Sequence, residues 1–195
     1  MSLISFDSDD RVMIFIDVRN LMGGARKDFS FSKVDFVFTA RYLKGPRKLI
    51  AAYAFDSKGV LDSEDGSRRF HDYLRYMGFR VVARDGYDAE NRQQKEVDVA
   101  MACQMVVHAL KDNYDVAIVV SGDRDFIPAI QEVQAAGKRV EVAAFEGSFS
   151  EELRRVADVY IDLDQLPVLS MRNPAPDGGC PTPAMVKRRW NDGLL

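Results

Sequence analysis

Six short apolar runs, at 12–16, 49–55, 79–83, 116–120, 140–145 and 159–163, alternate along this chain with stretches whose apolar residues recur every three or four positions. An unbroken run of β-branched and aromatic residues reads as a strand buried on both faces. Strands separated by helical patterns are joined by crossovers, which builds a parallel sheet. Helices are predicted over 33–43, 65–77, 96–110, 126–136 and 150–156, with Gly45, Gly78 and Gly137 as stops for the first, second and fourth. Ser150-Glu151-Glu152-Leu153 carries a capping signature at the start of the last. The clearest helix, 96–110, sets Val99, Ala102, Met105, Val106 and Ala109 on one apolar stripe and Asp98 on that side near its N-terminal end. The expectation is an α/β fold with helices on both faces of a central, mostly parallel sheet.

At 195 residues and 47% hydrophobic, the chain can bury one substantial core. A net charge of -3 excludes a global basic field, so a nucleic-acid partner has to be held by a local basic surface. Two cysteines, Cys103 and Cys180, and two histidines, His71 and His108, argue against a disulfide framework and a Cys/His zinc site, and fit a reducing compartment. No apolar stretch approaches the roughly 20 residues of a membrane span, and the first eleven residues lack a basic-then-apolar leader. A cytoplasmic protein with no membrane partner is expected. No repeat recurs at 20–50 residues. From Pro167 the composition shifts: five of the seven prolines lie in 167–195, which divides the chain into a domain over 1–166 and a Pro/Gly-rich tail over 167–195. Lys187-Arg188-Arg189-Trp190 within that tail suits a nucleic-acid backbone with the Trp stacked on a base, or a plain solvated terminus.

Where the strands stop, acids begin. The run ending at Val120 passes into Ser121-Gly122-Asp123-Arg124-Asp125, and the run ending at Ile16 into Asp17 and Asn20. Ligands of open α/β sheets bind beyond the carboxyl ends of strands, and the first and fourth strands are natural neighbours at a topological switch point. Asp98 can reach the same rim from its helix. A lone Asp at a strand end often caps the next turn. Three segments delivering acids to one place form instead a cluster whose repulsion calls for a hard divalent cation such as Mg²⁺.

The ordered motifs FIDVRNL, KEVDVAMACQM, IVVSGDRDFIPAI, GKRVEVAAF and LRRVADVYIDLD resemble the NYN domain, the LabA-like (DUF88) branch of the PIN-like nuclease superfamily, over about 11–164. The resemblance implies a PIN-like three-layer α/β/α sandwich and an acidic Mg²⁺- or Mn²⁺-dependent ribonuclease centre acting on RNA. It maps Asp17, Asp98 and Asp123 onto the acidic metal positions, Asp125 onto the accessory acid and Asn20 onto the family's Asn. It also implies pairing into a homodimer. The chain departs from the family at Gln104, where many relatives carry an acid, and at Val18-Arg19, where Gly or Gly-Glu is common.

Around this centre, Asn20 and Ser121 are candidates to bind substrate or orient an acid. Arg19, Arg26, Lys27, Arg84, Arg92 and Lys95 form a candidate phosphate track. Lys95 either pairs with a phosphate or locks the carboxylates, and Tyr87 is a candidate for base stacking. His71, His108 and the helix-borne Arg68, Arg69, Arg154 and Arg155 read as structural or solvated groups. A non-catalytic RNA-binding module, favoured by Gln104 and the acidic charge balance, is the second reading. A phosphotransfer protein is the weakest, because Asp-x-Asp follows a late strand and not the first.

Overall fold

The computed structural model describes residues 8–29, 34–57, 64–84 and 90–166. Strands β1 (Arg11–Asp17), β2 (Lys48–Ser57), β3 (Arg80–Arg84), β4 (Val116–Val120), β5 (Arg139–Ala144) and β6 (Val159–Asp162) match the six apolar runs to within a few residues at each end. They form one sheet in the order β3-β2-β1-β4-β5-β6, and every pairing is parallel. The chain works outward from β1 to β3, then returns to lay β4 against the free side of β1. The switch point therefore falls between β1 and β4, with Ile16 beside Val120.

Successive side chains of a strand point to opposite faces, so each central strand feeds two cores. Val12, Ile14 and Ile16 of β1 pack with α1 (Val18–Phe29), α2 (Phe36–Lys44) and α3 (Glu64–Tyr76). Met13 and Phe15 pack with α4 (Glu90–Leu110), α5 (Ile127–Ala135) and α6 (Glu151–Val156). This is the three-layer α/β/α sandwich. The helix stops act as expected, since Gly45, Gly78 and Gly137 adopt φ of 58°, 92° and 78°, a region other residues rarely enter.

Four expectations need correction. Helix α1 was not anticipated, because VRNLMGGARKDF has adjacent glycines and no acid in its first turn. Gly24 serves close packing there: a Cβ would stand 2.6 Å from the Phe145 ring. Helix α4 begins at Glu90, so Asp98 lies about two turns inside it and not at its start. The inward stripe of α4 is Val97, Met101, Met105 and Ala109, whereas Val99 is 61% exposed. Apolar residues fill so much of 97–110 that periodicity alone admits two faces, and packing selects one. Ser150 stands at the N-cap of α6, but its hydroxyl donates to the Glu152 carboxylate and leaves the helix N–H groups alone.

Candidate active site

The carboxyl ends of β1 and β4 bring Asp17 and Ser121 side by side on the α4/α5 face. Asp17 is buried, and both of its oxygens are held: Oδ1 accepts from the Asn20 backbone N–H at 3.0 Å, and Oδ2 from the Ser121 hydroxyl at 3.1 Å. Ser121 Oγ in turn accepts from the Asp123 N–H at 3.2 Å. The Asn20 side-chain oxygen accepts from the Gly122 N–H at 3.0 Å, so the start of α1 is tied to the Ser-Gly-Asp turn. Asp123 Oδ1 accepts from the Asp125 N–H at 2.9 Å and caps a 3₁₀ turn over Arg124–Phe126.

Gly122 is required by crowding. A Cβ there would lie 2.0 Å from the Ser148 carbonyl oxygen, and the Ser150 N–H donates to the Gly122 carbonyl at 3.2 Å. The segment after β5 is thereby pressed against the turn. Capping explains one oxygen each of Asp17 and Asp123. Asp162, at the end of β6, caps the turn Leu163–Gln165 in the same way. Electrostatics set Asp17 apart from such a cap. Its carboxyl is pushed up to about 6, first by burial and then by the negative charges of Asp98 and Asp123, against the opposing Asn20 and Ser121 hydrogen bonds. Asp98 is no cap at all: it projects from within α4, half-buried, close enough for its charge to act on Asp17.

Asp125 and Arg19 are exposed beside this cluster. Asp125 lines a shallow depression with Arg124, Ile127, Pro128 and Glu152. Asn20 and Ser121 spend their oxygens on holding the turn and Asp17. Tyr87 and the tail 167–195 lie outside the described residues, as do the side chains of Arg26, Lys27, Arg84, Arg92 and Lys95. Both histidines are satisfied away from the cluster. His71 pairs with buried Asp56 at 2.6 Å, and His108 contacts the Tyr53 hydroxyl at 2.9 Å and the Asn113 amide at 2.8 Å. Arg154 is more engaged than a solvated charge, bonding Glu146 at 2.7 Å and lying over the Tyr160 ring at 4.5 Å. Two residues near this rim escape a sequence reading. Asp56 ends an apolar run much as Asp17 does, and that was its available signal. The packing role of Gly122 has no local signal, because its neighbour Ser148 is distant in sequence.

The NYN domain family profile matches residues 11–164. The chain belongs to the NYN domain family. It is 28% identical over 163 residues to the low amplitude and bright protein LabA of Synechococcus elongatus, covering 80% of this chain and 85% of that protein. A 70-residue stretch is 36% identical to an uncharacterized protein of Methanocaldococcus jannaschii, spanning 36% of this chain and 29% of the archaeal one. The crystal structure of a Vibrio parahaemolyticus protein of unknown function superposes with a TM-score of 0.68 at 24% identity, over 83% of this chain and 98% of that one. This last likeness concerns the fold. NYN membership places the chain on a nuclease-type fold and associates it with an RNase or RNA-binding role. Among the described residues no helix is long and apolar enough to cross a membrane.

The NYN rim offers hard oxygen donors of the kind Mg²⁺ and Mn²⁺ take. Burial raises Asp17 first and repulsion from Asp98 and Asp123 adds to it; an added cation relieves that repulsion, so the donor set fits a divalent ion. Among the described residues no three His, Cys, Asp or Glu side chains are gathered as a ready ligand group.

Proposed function

We propose that the chain is a divalent-metal-dependent ribonuclease that hydrolyses phosphodiester bonds of single-stranded RNA. The observation that carries this reading is the buried Asp17 carboxylate, oriented by Asn20 and Ser121 and raised first by that burial and then by the charges of Asp98 and Asp123. A single-purpose cap needs neither the burial nor the like-charged company.

Asp17, Asp98 and Asp123 are the residues that would hold Mg²⁺ or Mn²⁺. Such an ion supplies Lewis-acid polarisation of the phosphate and a water of lowered pKa. Asp125, exposed next to Asp123, is placed to orient the attacking water by accepting its hydrogen bond. Arg19, exposed two residues after Asp17, supplies a cation for the substrate backbone, with Lys95 as a further candidate. Asn20 and Ser121 act as positioning residues, since their oxygens hold the turn and the acid. The unit that performs this is the domain over 1–166, working in the cytoplasm.

The test is cleavage of labelled single-stranded RNA in Mg²⁺ and in Mn²⁺, beside EDTA and an Asp123→Asn protein. Cleavage by the wild type that falls at least about a hundredfold in both controls is expected, since removing a metal-held carboxylate costs several kcal/mol at the transition state. RNA binding without cleavage in either metal would replace this reading with the non-catalytic module. Gln104 and the net charge of -3 favour that second reading.

A further inference from the structure

Ser150 gives up a helix cap to hold an exposed carboxylate. It stands at the N-cap of α6, where a serine normally accepts from a helix N–H, yet its hydroxyl donates to Glu152 Oε2 at 3.0 Å. Stability gains little from that exchange, because the bond lies open to water. What it achieves is orientation. Glu152 is held at the wall of the depression that it lines with Arg124, Asp125, Ile127 and Pro128.

The same serine is tied to the acidic centre. Its N–H donates to the Gly122 carbonyl at 3.2 Å, and the next residue, Asp123, caps the turn that carries Arg124 and Asp125. Depression and centre therefore share one hydrogen-bonded scaffold.

The lining says what fits. Ile127 and Pro128, at the start of α5, give the depression an apolar wall suited to a flat ring. Its volume, about 580 Å³, is of the size that takes one small molecule such as a nucleoside. Glu152 can only accept, so it selects a ring edge made of donors. Arg124 Nη1 stands 3.6 Å from Glu152 Oε2, and the two side chains are 67% and 60% exposed, so this ion pair is weak and readily exchanged. Among RNA bases, guanine alone sets two donors side by side on its Watson–Crick edge, N1–H and the N2 amino group, which a carboxylate accepts in parallel. Adenine and cytosine offer an amino group beside an acceptor nitrogen, and uracil a single N–H between two carbonyls. Each of those sets a lone pair against the second oxygen of Glu152.

We propose that this depression is a guanine subsite of the RNA-binding rim. Glu152 reads the base, Ser150 positions Glu152, and Arg124, released from Glu152, pairs with a neighbouring phosphate. The subsite rests on the ribonuclease reading above and adds to it a preference for strands with a guanine next to the scissile bond.

The test is binding in EDTA, by fluorescence polarisation, of the full chain to labelled pentanucleotides AAGAA, AAIAA and AAAAA. Here I is inosine, which keeps N1–H and lacks the amino group. Wild type is expected to bind AAGAA at least about tenfold more tightly than AAAAA, the size of one charge-assisted hydrogen bond, with AAIAA between them. Glu152→Ala is expected to erase the preference without weakening AAAAA. Ser150→Ala, with its circular dichroism unchanged, is expected to shrink the preference severalfold, a readout that a purely structural serine would not move. Arg124→Ala is expected to weaken all three alike and to lower the salt dependence. A wild type that binds the three equally or not at all, or a guanine preference that survives Glu152→Ala, overturns the proposal. Cleavage of the same strands in Mg²⁺ keeps the two readings apart. Guanine-selective binding without cleavage removes the nuclease and keeps the subsite, whereas cleavage with binding indifferent to guanine does the reverse.

Discussion

Asp17 shows how one side chain can oppose the stability of the fold that holds it. Its native carboxyl sits at about 6 against an ordinary 3.8, so the folded state keeps this proton to higher pH than the unfolded chain does. The sign follows from linkage: the group causes no loss below about pH 4, and its cost grows as pH rises through 6. A shift of this size amounts to about 2 to 3 kcal/mol when fully expressed. In EDTA at pH 7.5, Asp17→Asn is expected to melt several degrees above wild type, with the gap closing near pH 4. Calorimetry checks this. Adding Mg²⁺ is expected to raise the wild-type midpoint and leave the variant unmoved. At this scale the sequence revealed which acids end strands and hid their surroundings. Asp17, Asp56, Asp123 and Asp162 all follow apolar runs, yet one is charge-crowded, one pairs with His71 and two cap turns. The two caps use residues two positions on, whereas Ser121 reaches Asp17 across 104 residues and His71 reaches Asp56 across 15.

Among the elements, α2 and β5 are joined by a buried ion pair that neither sequence segment announces. Arg47, just past the C-terminal end of α2, reaches Glu141 in β5 at 2.6 and 3.0 Å, with side-chain exposures of 3% and 0%. Arg47 also donates to the carbonyls of Leu43 and Lys44, closing the end of α2 against the sheet. Removing one partner strands a charge in the core. Glu141→Leu is expected to lose about 3 to 5 kcal/mol of unfolding free energy in denaturant titration, while Arg47→Met with Glu141→Leu recovers most of it. Glu141 is a lone acid within the apolar run of β5, and Arg47, with Arg139 Nε at 3.4 Å, makes its burial tolerable. Helix α1 and the inward side of α4 were illegible for a related reason. Local propensity disfavours Gly23-Gly24, and the pattern of α4 is apolar all round, so tertiary packing decided both.

For the whole molecule, the parallel sheet and the helices on both faces followed from the alternation of strand and helix patterns. The family match ends at 164, and β6 completes the sheet at Asp162. We therefore propose that 1–166 is the folding unit. A chain ending at Leu166 is expected to keep the far-ultraviolet circular dichroism of the full protein and a midpoint within about 2 °C, a shift below the effect of 1 kcal/mol for a domain this size. Loss of the cooperative transition in that chain would show that the last 29 residues belong to the fold.

Strand positions, helix stops and the acids at strand ends were determined by the sequence itself, because each depends on a few adjacent residues: an apolar run, a glycine free to take positive φ, an aspartate at the following turn. The tertiary structure alone decided that Asn20 and Ser121 clasp Asp17, that Gly122 lets the Ser148 carbonyl approach, and that α4 turns Val97 inward and Val99 out. Each of these depends on which distant surfaces meet, and on the burial and charge that the meeting imposes.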